Sequence, residues 1–470
     1  MSGVGATIFN PVFNHLSLIR SLLSVACLLS VASPLSLHAQ DGNTVYLPVI
    51  LTSNVIHVTT TTDELNADGD CALREAIQAV NLGVGVDACP AGNALTIIEL
   101  PPGVYTLSLT GPNEDNNATG DLDILTSVTI NGSGATSTVI DGNRSDRVLQ
   151  VHADATVVIN NLTIRNGKAP NGTDTEAGGS DAQAGQNGGG IANAGVLSIN
   201  ASVITGNSAG NGGTANGEPN QASQGGAGGK GGGIYSEGTL QIKDSQITGN
   251  SAGHGGEGGC RGQATPNGGA GGGIFSSSIA IISNSTIQGN HSGKGGGHSC
   301  PPGNEGKPGG EGGGIANWGD MTLDNSTITG NQTGAGHDAK TNGHGGQGGA
   351  GGGLYNKGTL VLNNSTVTSN QTGAGGSATP LGLGGKGGNG GGLNNQATLT
   401  LNNSTVSGNH TGGGGDGAKG GDGGDGGGVA NYKNFAPNNS PITGNGTGGG
   451  GTSRFGPGGS HGSGGDLYNN

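Results

Sequence analysis

The residues best suited to ion-binding or acid–base chemistry form one dense cluster of carboxylates and guanidinium groups in the first third of the chain. Four aspartates could bind calcium, and two arginines beside them could hold a uronic acid, as in enzymes that cleave acidic polysaccharides. The same residue types also serve turns and corner ion pairs. The cluster is not repeated along the chain and contains no acid–base pair with a defined partner, which favours the structural interpretation. It comprises Asp121, Asp123, Asp141, Arg144, Asp146 and Arg147.

Aromatic side chains are a second candidate, because they could stack on sugar rings. Tyr235, Phe275 and Tyr355 occupy equivalent positions in a repeated segment, with Trp318 nearby. Alanine or asparagine occupies that position in the other complete repeats. We therefore prefer to interpret the aromatic residues as a discontinuous surface column.

One further sequence motif could bind a metal ion. Gly420 to Asp425 matches the start of a calcium-binding Gly-Gly-x-Gly-x-Asp repeat. The motif occurs once, and glycine stands where the repeat requires an apolar residue. We therefore expect no metal and no other cofactor, and we predict no catalytic residue.

The cysteines favour disulfides rather than a zinc site. Cys27 lies in the apolar N-terminal segment, and the four others are an even number without CxxC spacing. Cys260 and Cys300 each lie ten residues after an equivalent asparagine, so we predict a bond between them. Cys71 and Cys89 are expected to pin the loop that follows a short helix.

Composition and the N-terminus limit where the protein acts. The 470 residues include 108 glycines and carry a net charge of −14, without the basic patch that nucleic acid requires. Arg20 precedes an apolar run from Leu22 to Leu35, and Ala39-Gln40 suits cleavage, so residues 1–39 are predicted to be a signal peptide and 40–56 a linker. The run is too short to predict a transmembrane span. We expect a secreted or cell-surface protein.

From residue 188 onward, a block of constant length recurs. It starts with an aliphatic residue after two or three glycines and ends in asparagine sixteen positions later, so all length variation lies in glycine-rich connectors. Aliphatic residues at positions +6 and +8 have the two-residue period of a strand, and another recurs at +13. The pattern predicts an all-β parallel β-helix with three short strands per rung. The blocks start at Ile191, Ile234, Ile274, Ile315, Leu354, Leu393, Val429 and Leu467.

Two polar columns also repeat within the block. Position +11 is serine in every complete block, and position +2 is asparagine or serine. Because position +2 shares a face with the leading aliphatic residue, we expect it to turn inward and hydrogen-bond along the stack.

The connectors themselves have a three-residue Gly-Gly-X period. An extended helix with three residues per turn would place bare backbone on two faces and X on the third. We predict that the connectors are ordered and stacked, although flexible glycine loops are the alternative.

Before the repeats, residues 57–110 are predicted to cap the solenoid and residues 111–187 to form its first rungs. Asp70 to Asn81 has the apolar face of a short helix, with Asp70 as a suitable N-cap and Gly83 as its end. The repeats at 188–470 end in an incomplete block, so edge-to-edge association at an open last rung is a possible partner interaction.

The cap sequence Cys71-Ala72-Leu73-Arg74-Glu75-Ala76-Ile77 resembles the CSLREA-type motif of exported bacterial repeat proteins. The later Gly-Gly-Gly-Ile and Ile-Thr-Gly-Asn pairs are similar to repeats of polymorphic outer membrane proteins, with Gly for Ala and Ile or Val for Phe. The resemblance implies a pectin-lyase-like, right-handed β-helix at the cell surface and supplies no catalytic residues.

These observations favour a non-catalytic, structural or adhesin-like protein that presents a repetitive surface to an unknown extracellular ligand, either protein or polysaccharide. The alternative is a polysaccharide lyase or glycoside hydrolase on the same fold, because a fold alone does not exclude catalysis.

Overall fold

The computed structural model describes residues 53–93, 95–111, 114–175, 181–215, 223–259, 267–297, 305–340, 342–378 and 381–470. It also gives the backbone of two antiparallel strands, Leu35–His38 and Thr44–Leu47, in a separate N-terminal unit. Most of the predicted signal peptide and linker lies outside the described residues, as do Cys260 and Cys300, so their bond stays a prediction. No helix in the described part of the chain is long and apolar enough to cross a membrane.

From Asn54 onward, the chain winds as a right-handed parallel β-helix, as predicted. A complete rung adds one strand to each of three parallel sheets, in the order sheet 1, sheet 2, sheet 3. Sheet 1 contains Leu122–Ile124, Leu149–Val151, Ile191–Asn193, Ile234–Ser236, Ile274–Ser276, Ile315–Asn317, Leu354–Asn356, Leu393–Asn395, Val429–Asn431 and Leu467–Asn469.

The strands of sheet 2 have three to five residues, and those of sheet 3 have two to four. Sheet 2 contains Val55–His57, Ile97–Leu100, Val128–Gly132, Thr156–Asn160, Val196–Asn200, Thr239–Lys243, Ala280–Ser283, Asp320–Asp324, Thr359–Asn363, Thr398–Asn402 and Asn434–Asn438. Sheet 3 contains Gly103–Thr106, Thr138–Asp141, Thr163–Arg165, Val203–Thr205, Gln246–Thr248, Thr286–Gln288, Thr327–Thr329, Thr366–Thr368, Thr405–Ser407 and Ile442–Thr443.

Aliphatic side chains stacked in register fill the interior. In one rung, Ile191, Leu197, Ile199 and Ile204 point inward and are fully buried. Ile199 aligns with Ile242 of the following rung, and the other columns continue in the same way. A single rung buries too few apolar side chains to offset the entropy of ordering its backbone, so each rung depends on its neighbours.

Polar ladders satisfy the backbone at the corners, as predicted for positions +2 and +11. The Ser202 N–H donates to Ser245 Oγ of the next rung at 3.1 Å, and Asn317 Nδ2 donates to Asn356 Oδ1 at 2.8 Å. The asparagine that ends each block forms a third ladder, which we did not predict. Its members are Asn207, Asn250, Asn290, Asn331, Asn370, Asn409 and Asn445.

The described parts of the connectors are ordered, as predicted. Successive extended segments hydrogen-bond through their backbones; Gly226 donates to Gly213 O and Gly229 to Gly210 O, each at 2.8 Å. A Cβ on Gly226 would overlap the carbonyl oxygen of a neighbouring segment, whereas Ala227 points to solvent. The Gly-Gly-X period therefore leaves two faces bare for packing and one for a side chain.

Helix α1 (Leu73–Leu82) follows the first strand of sheet 2 in the sequence and precedes the second. It contacts sheets 1 and 2. Its N-cap is Ala72 and not Asp70 as predicted, because the Glu75 carboxylate accepts the Ala72 N–H at 3.0 Å and so satisfies the helix start. Gly83 ends the helix with a φ of 67°, as expected. The predicted disulfide between Cys71 and Cys89 is present, with a Cα–Cα distance of 4.9 Å.

Candidate functional site

The aromatic candidates and part of the charge cluster lie on the outer face of sheet 1. The middle residue of each three-residue strand points outward between two inward neighbours, so one residue per rung forms a continuous column. The column begins at an aspartate, passes through aromatic residues and ends at a tyrosine. Its members are Asp123, Gln150, Ala192, Tyr235, Phe275, Ala316, Tyr355, Asn394, Ala430 and Tyr468.

The predicted charge cluster divides into two parts. Asp121, Asp123, Asp146 and Arg147 lie together at the start of the column, as described below. Asp141 belongs to sheet 3 and pairs with Arg165 of the next rung at 2.7 Å. Arg144 is exposed, and the structure does not bring it to the other four.

Arg147 connects three successive rungs. Its guanidinium pairs with Asp121 of the preceding rung at 3.0 Å, and it donates to Gln186 Oε1 at 3.0 Å and Gly188 O at 3.2 Å in the following rung. Asp146 accepts the Arg147 N–H at 2.7 Å. Burial of this ion pair and its bonds to the backbone indicate a structural clamp.

Two carboxyl groups beside this clamp have raised pKa values. Burial, followed by the negative charge of Asp121, raises the pKa of Asp123 to about 7 and that of Asp146 to about 6. Asp123 is fully buried, accepts the Asn117 N–H at 2.9 Å and lies 3.5 Å from His152 Nε2. Such groups could transfer protons near neutral pH, although the side chain of Asp123 is buried.

A small acidic cavity of about 190 Å³ opens beside the clamp. Glu114, Asp115, Asp121 and Asp146 provide its carboxylates, and Arg147 provides its cation. Backbone N–H donors from residues 116, 118 and 119 hold the Glu114 carboxylate and, although burial opposes them, lower its pKa. The Glu114 carboxylate is therefore occupied by hydrogen bonds within its own loop.

Another acidic group precedes α1. Ligand atoms of Glu64, Asp68 and Asp70 lie within 4.8 Å of one another, a spacing compatible with a metal ion. The side-chain amide of Asn66 donates to Glu64 at 2.9 Å and to Asp68 at 3.2 Å, so a neutral donor already bridges two of the carboxylates.

The carboxylates of the Gly420 to Asp425 motif are used within the connector array. Asp422 Oδ1 accepts the N–H and the hydroxyl of Ser460, both at 2.8 Å. Asp425 accepts the Ser463 N–H at 2.7 Å and pairs with Lys386. Both carboxylates therefore hold neighbouring connector segments together.

Tyr235, Phe275 and Trp318 form a contiguous cluster, contrary to the discontinuous column that we preferred, whereas no ring contact among the described residues joins Tyr355 to it. Tyr235 and Phe275 stack with ring centroids 5.3 Å apart, and Phe275 meets Trp318 edge to face at 5.2 Å. Ala316 occupies the outward position in the rung of Trp318, and this small side chain leaves room for the indole. Sequence reasoning treated the alanine as a gap in the column, whereas it accommodates the next aromatic ring.

Charged side chains flank the aromatic cluster, and the sequence analysis did not identify them. Lys230 Nζ lies 4.7 Å from the Phe275 centroid and 4.3 Å from that of Trp318, and Lys357 Nζ lies 4.6 Å from Trp318. Glu311 accepts a hydrogen bond from the Tyr355 hydroxyl. Lys230 and Glu311 each stand four residues before a sheet-1 strand, a repeat position that could have revealed them.

Burial shifts the pKa values of this group. It lowers the pKa of Lys230 and raises that of Glu311, in each case because the charged form loses water. The arrangement combines a half-buried ammonium, a half-buried carboxyl group and an indole that is 39% exposed.

Comparison with known proteins gives no match: no family model, no curated protein and no solved structure is similar to this chain. The resemblance to CSLREA-type and polymorphic outer membrane proteins therefore stays a prediction.

Proposed function

We propose that this chain is an exported, secreted or cell-surface protein that presents a repetitive surface to an extracellular ligand and does not catalyse a reaction. The apolar N-terminal sequence supports export, and the outer face of sheet 1 supplies the repetitive surface. In this fold, side chains far apart in sequence become fixed neighbours on a rigid support, which suits display.

The observation that carries the proposal is the division of roles among the charged groups. The carboxylates at the start of the column are held by Arg147, Asn117 and backbone N–H donors. The Lys230 ammonium and the Glu311 carboxyl group, by contrast, lie beside the exposed indole of Trp318. Binding without turnover fits this arrangement.

Surface labelling tests the proposal directly. Intact cells that produce the full chain would be treated with a protease and with an antibody against the repeats, and the culture medium would be examined in parallel. We expect the mature chain outside the cell, with a new N-terminus near residue 40. A full-length chain retained in the cytoplasm would contradict display.

A polysaccharide-cleaving enzyme is the second candidate, and the raised pKa values of Asp123 and Asp146 favour it. Release of unsaturated or reducing ends from acidic polysaccharides, with and without calcium, would measure such an activity. Turnover that disappears in both Asp123→Asn and Asp146→Asn, while the fold is retained, would replace display with catalysis. We expect no turnover.

A further inference from the structure

A small pocket lies between the aromatic cluster and the returning glycine segments. Its volume is about 240 Å³, below the roughly 300–1,000 Å³ of pockets for drug-sized ligands, so it suits a single ring. Glycine backbone and Ala270 form the floor, and Trp318 forms a wall. Lys230 and Glu311 stand at the rim in equivalent positions two rungs apart.

The two rim charges are incompletely paired. Among the described residues, the Lys230 ammonium has no ion pair within 4 Å and no hydrogen-bond acceptor, and its contacts are the faces of Phe275 and Trp318. Glu311 holds one hydrogen bond, from Tyr355. An acceptor placed at Lys230 and donors placed at Glu311 would complete both groups.

The indole restricts the ligand further. Trp318 already has two ammonium groups near its ring, Lys230 and Lys357, so a cationic ligand would be repelled. An anionic group would instead pair with these lysines. The exposed part of the indole offers an apolar surface on which the C–H face of a saturated ring can pack.

The geometry points to a binding site for a sugar ring that carries an anionic group. The ring packs on Trp318, its anionic group pairs with Lys230, and its hydroxyl groups donate to Glu311. This inference rests on the proposed display function and names the chemistry of the ligand. No bond is made or broken.

A second aromatic pair on the same face provides a matched control. Tyr432 and Tyr468 have ring centroids 5.9 Å apart, but the Tyr432 hydroxyl accepts a hydrogen bond from Asn389 at 2.7 Å. Asn389 occupies there the position that Lys230 and Glu311 hold at the pocket. Asp425 holds the same position in the rung of Tyr432, so neither residue supplies a cation and the Tyr432 region should not bind an anionic sugar.

Trp318 is the only tryptophan of the chain, so its fluorescence reports this pocket alone. The full mature chain would be titrated with oligosaccharides of equal length: a hexuronate series, a sulfated series and a neutral series. We expect saturable changes with one or both anionic series, and the better of the two identifies the anionic group. Binding of the neutral series should be at least roughly tenfold weaker, because a charge-assisted hydrogen bond is lost.

Variants that keep the reporter test the rim. Lys230→Gln and Glu311→Gln should each weaken anionic binding about tenfold or more, Lys230→Arg should restore most of it, and Tyr432→Phe should leave it unchanged. Far-UV circular dichroism and melting temperature would verify that the variants fold. Calorimetry with Trp318→Phe would check the role of the indole without fluorescence.

Several outcomes would contradict the proposed sugar-binding site: no binding of any series, equal affinity for the neutral and anionic series, or unchanged binding in Lys230→Gln. They would leave surface display untouched, because labelling of intact cells tests it separately. Cleavage of a bound oligosaccharide would instead overturn the non-catalytic proposal and uphold the ligand class.

Discussion

In the first rungs, residues 54–187, buried polar groups are satisfied by charged side chains, whereas the glycine-rich rungs, residues 188–470, use neutral amides and hydroxyls. Arg74 pairs with Asp63 at 2.6 Å and Arg147 with Asp121 at 3.0 Å, each a contact made once. In the repeats, Asn290 accepts two hydrogen bonds from Asn250 and donates to Asn331, and the pattern continues from rung to rung.

This difference has a physical reason. An asparagine side chain both donates and accepts, so identical residues can stack without limit, whereas identical charges stacked about 4.8 Å apart would repel one another. Charged pairs therefore suit the unique geometry of a cap, and amide ladders suit a repeat. The ladder of block-ending asparagines is completed by a different residue, Asp466, whose carboxylate accepts from Asn445 at 2.9 Å.

The largest expected loss of stability follows from removal of a buried charged side chain in the first rungs. Arg74 is fully buried, and its guanidinium also donates to Gly120 O at 2.8 Å and Asp121 O at 3.0 Å. Arg74→Met should destabilise the first rungs by about 3–5 kcal/mol, because the buried Asp63 loses its cation. Hydrogen exchange of α1 amides and urea unfolding would measure the loss.

Arg144→Met is the matched control for this prediction. Arg144 is an exposed arginine in the same rungs, and its replacement should cost less than about 0.5 kcal/mol. If both variants lost the same stability, the buried ion pair would not be the element that holds the cap.

The amide ladder should respond next, and its response should be local. Asn331→Ala removes the acceptor for two donors of Asn290, its N–H and its Nδ2, each at 2.9–3.0 Å. Each donor left unsatisfied costs about 1–3 kcal/mol. Hydrogen exchange should show increased opening in the rungs on either side of Asn331, with little change at α1.

Gln332→Ala, in the adjacent exposed position, should have almost no effect. An opening that spread equally to the first rungs would show that the two regions unfold as one unit, and the comparison between them would fail.

The connectors should be more sensitive to an atom added on a packed face than to one added on the exposed face. A Cβ at Gly229 would overlap the carbonyl oxygen of Gln186, so Gly229→Ala should destabilise by about 1–3 kcal/mol. Ala227→Ser, on the exposed third face, should be neutral. Amide exchange at Gly210 and Gly253 would report the change, and equal effects of the two substitutions would refute packed bare faces.

Much of the fold could be predicted because the same residue types recur at the same positions of each repeat. Columns of aliphatic residues identify the inward face, and the Gly-Gly-X period identifies the packed faces of the connectors. The N-cap of α1 was missed because Glu75 satisfies the Ala72 N–H from within the helix, which makes Asp70 unnecessary. Local propensity alone favoured the aspartate.

The candidate site was less predictable, because its members come from separate elements. Asp141 and Asp146 are close in sequence, yet the corner between sheets 3 and 1 sends them to different faces. Lys230 and Trp318 are 88 positions apart but lie in contact. The sequence predicts the strand register that brings these two residues to one face. It does not predict the rotamers that bring the ammonium over the indole.

The pH dependence of stability should also separate the two regions. Because the pKa values of Asp123 and Asp146 are raised to about 7 and about 6, the native state binds more protons than the unfolded chain between about pH 4 and 7. Stability of the first rungs should therefore fall as the pH rises through this window, and Asp123→Asn should flatten the dependence. Hydrogen exchange at pH 5 and pH 7.5 after correction for intrinsic rates would measure it. Amides along the asparagine ladders should show little change, since those ladders carry no titratable group before Asp466, and a parallel loss there would argue against charge as the distinguishing feature.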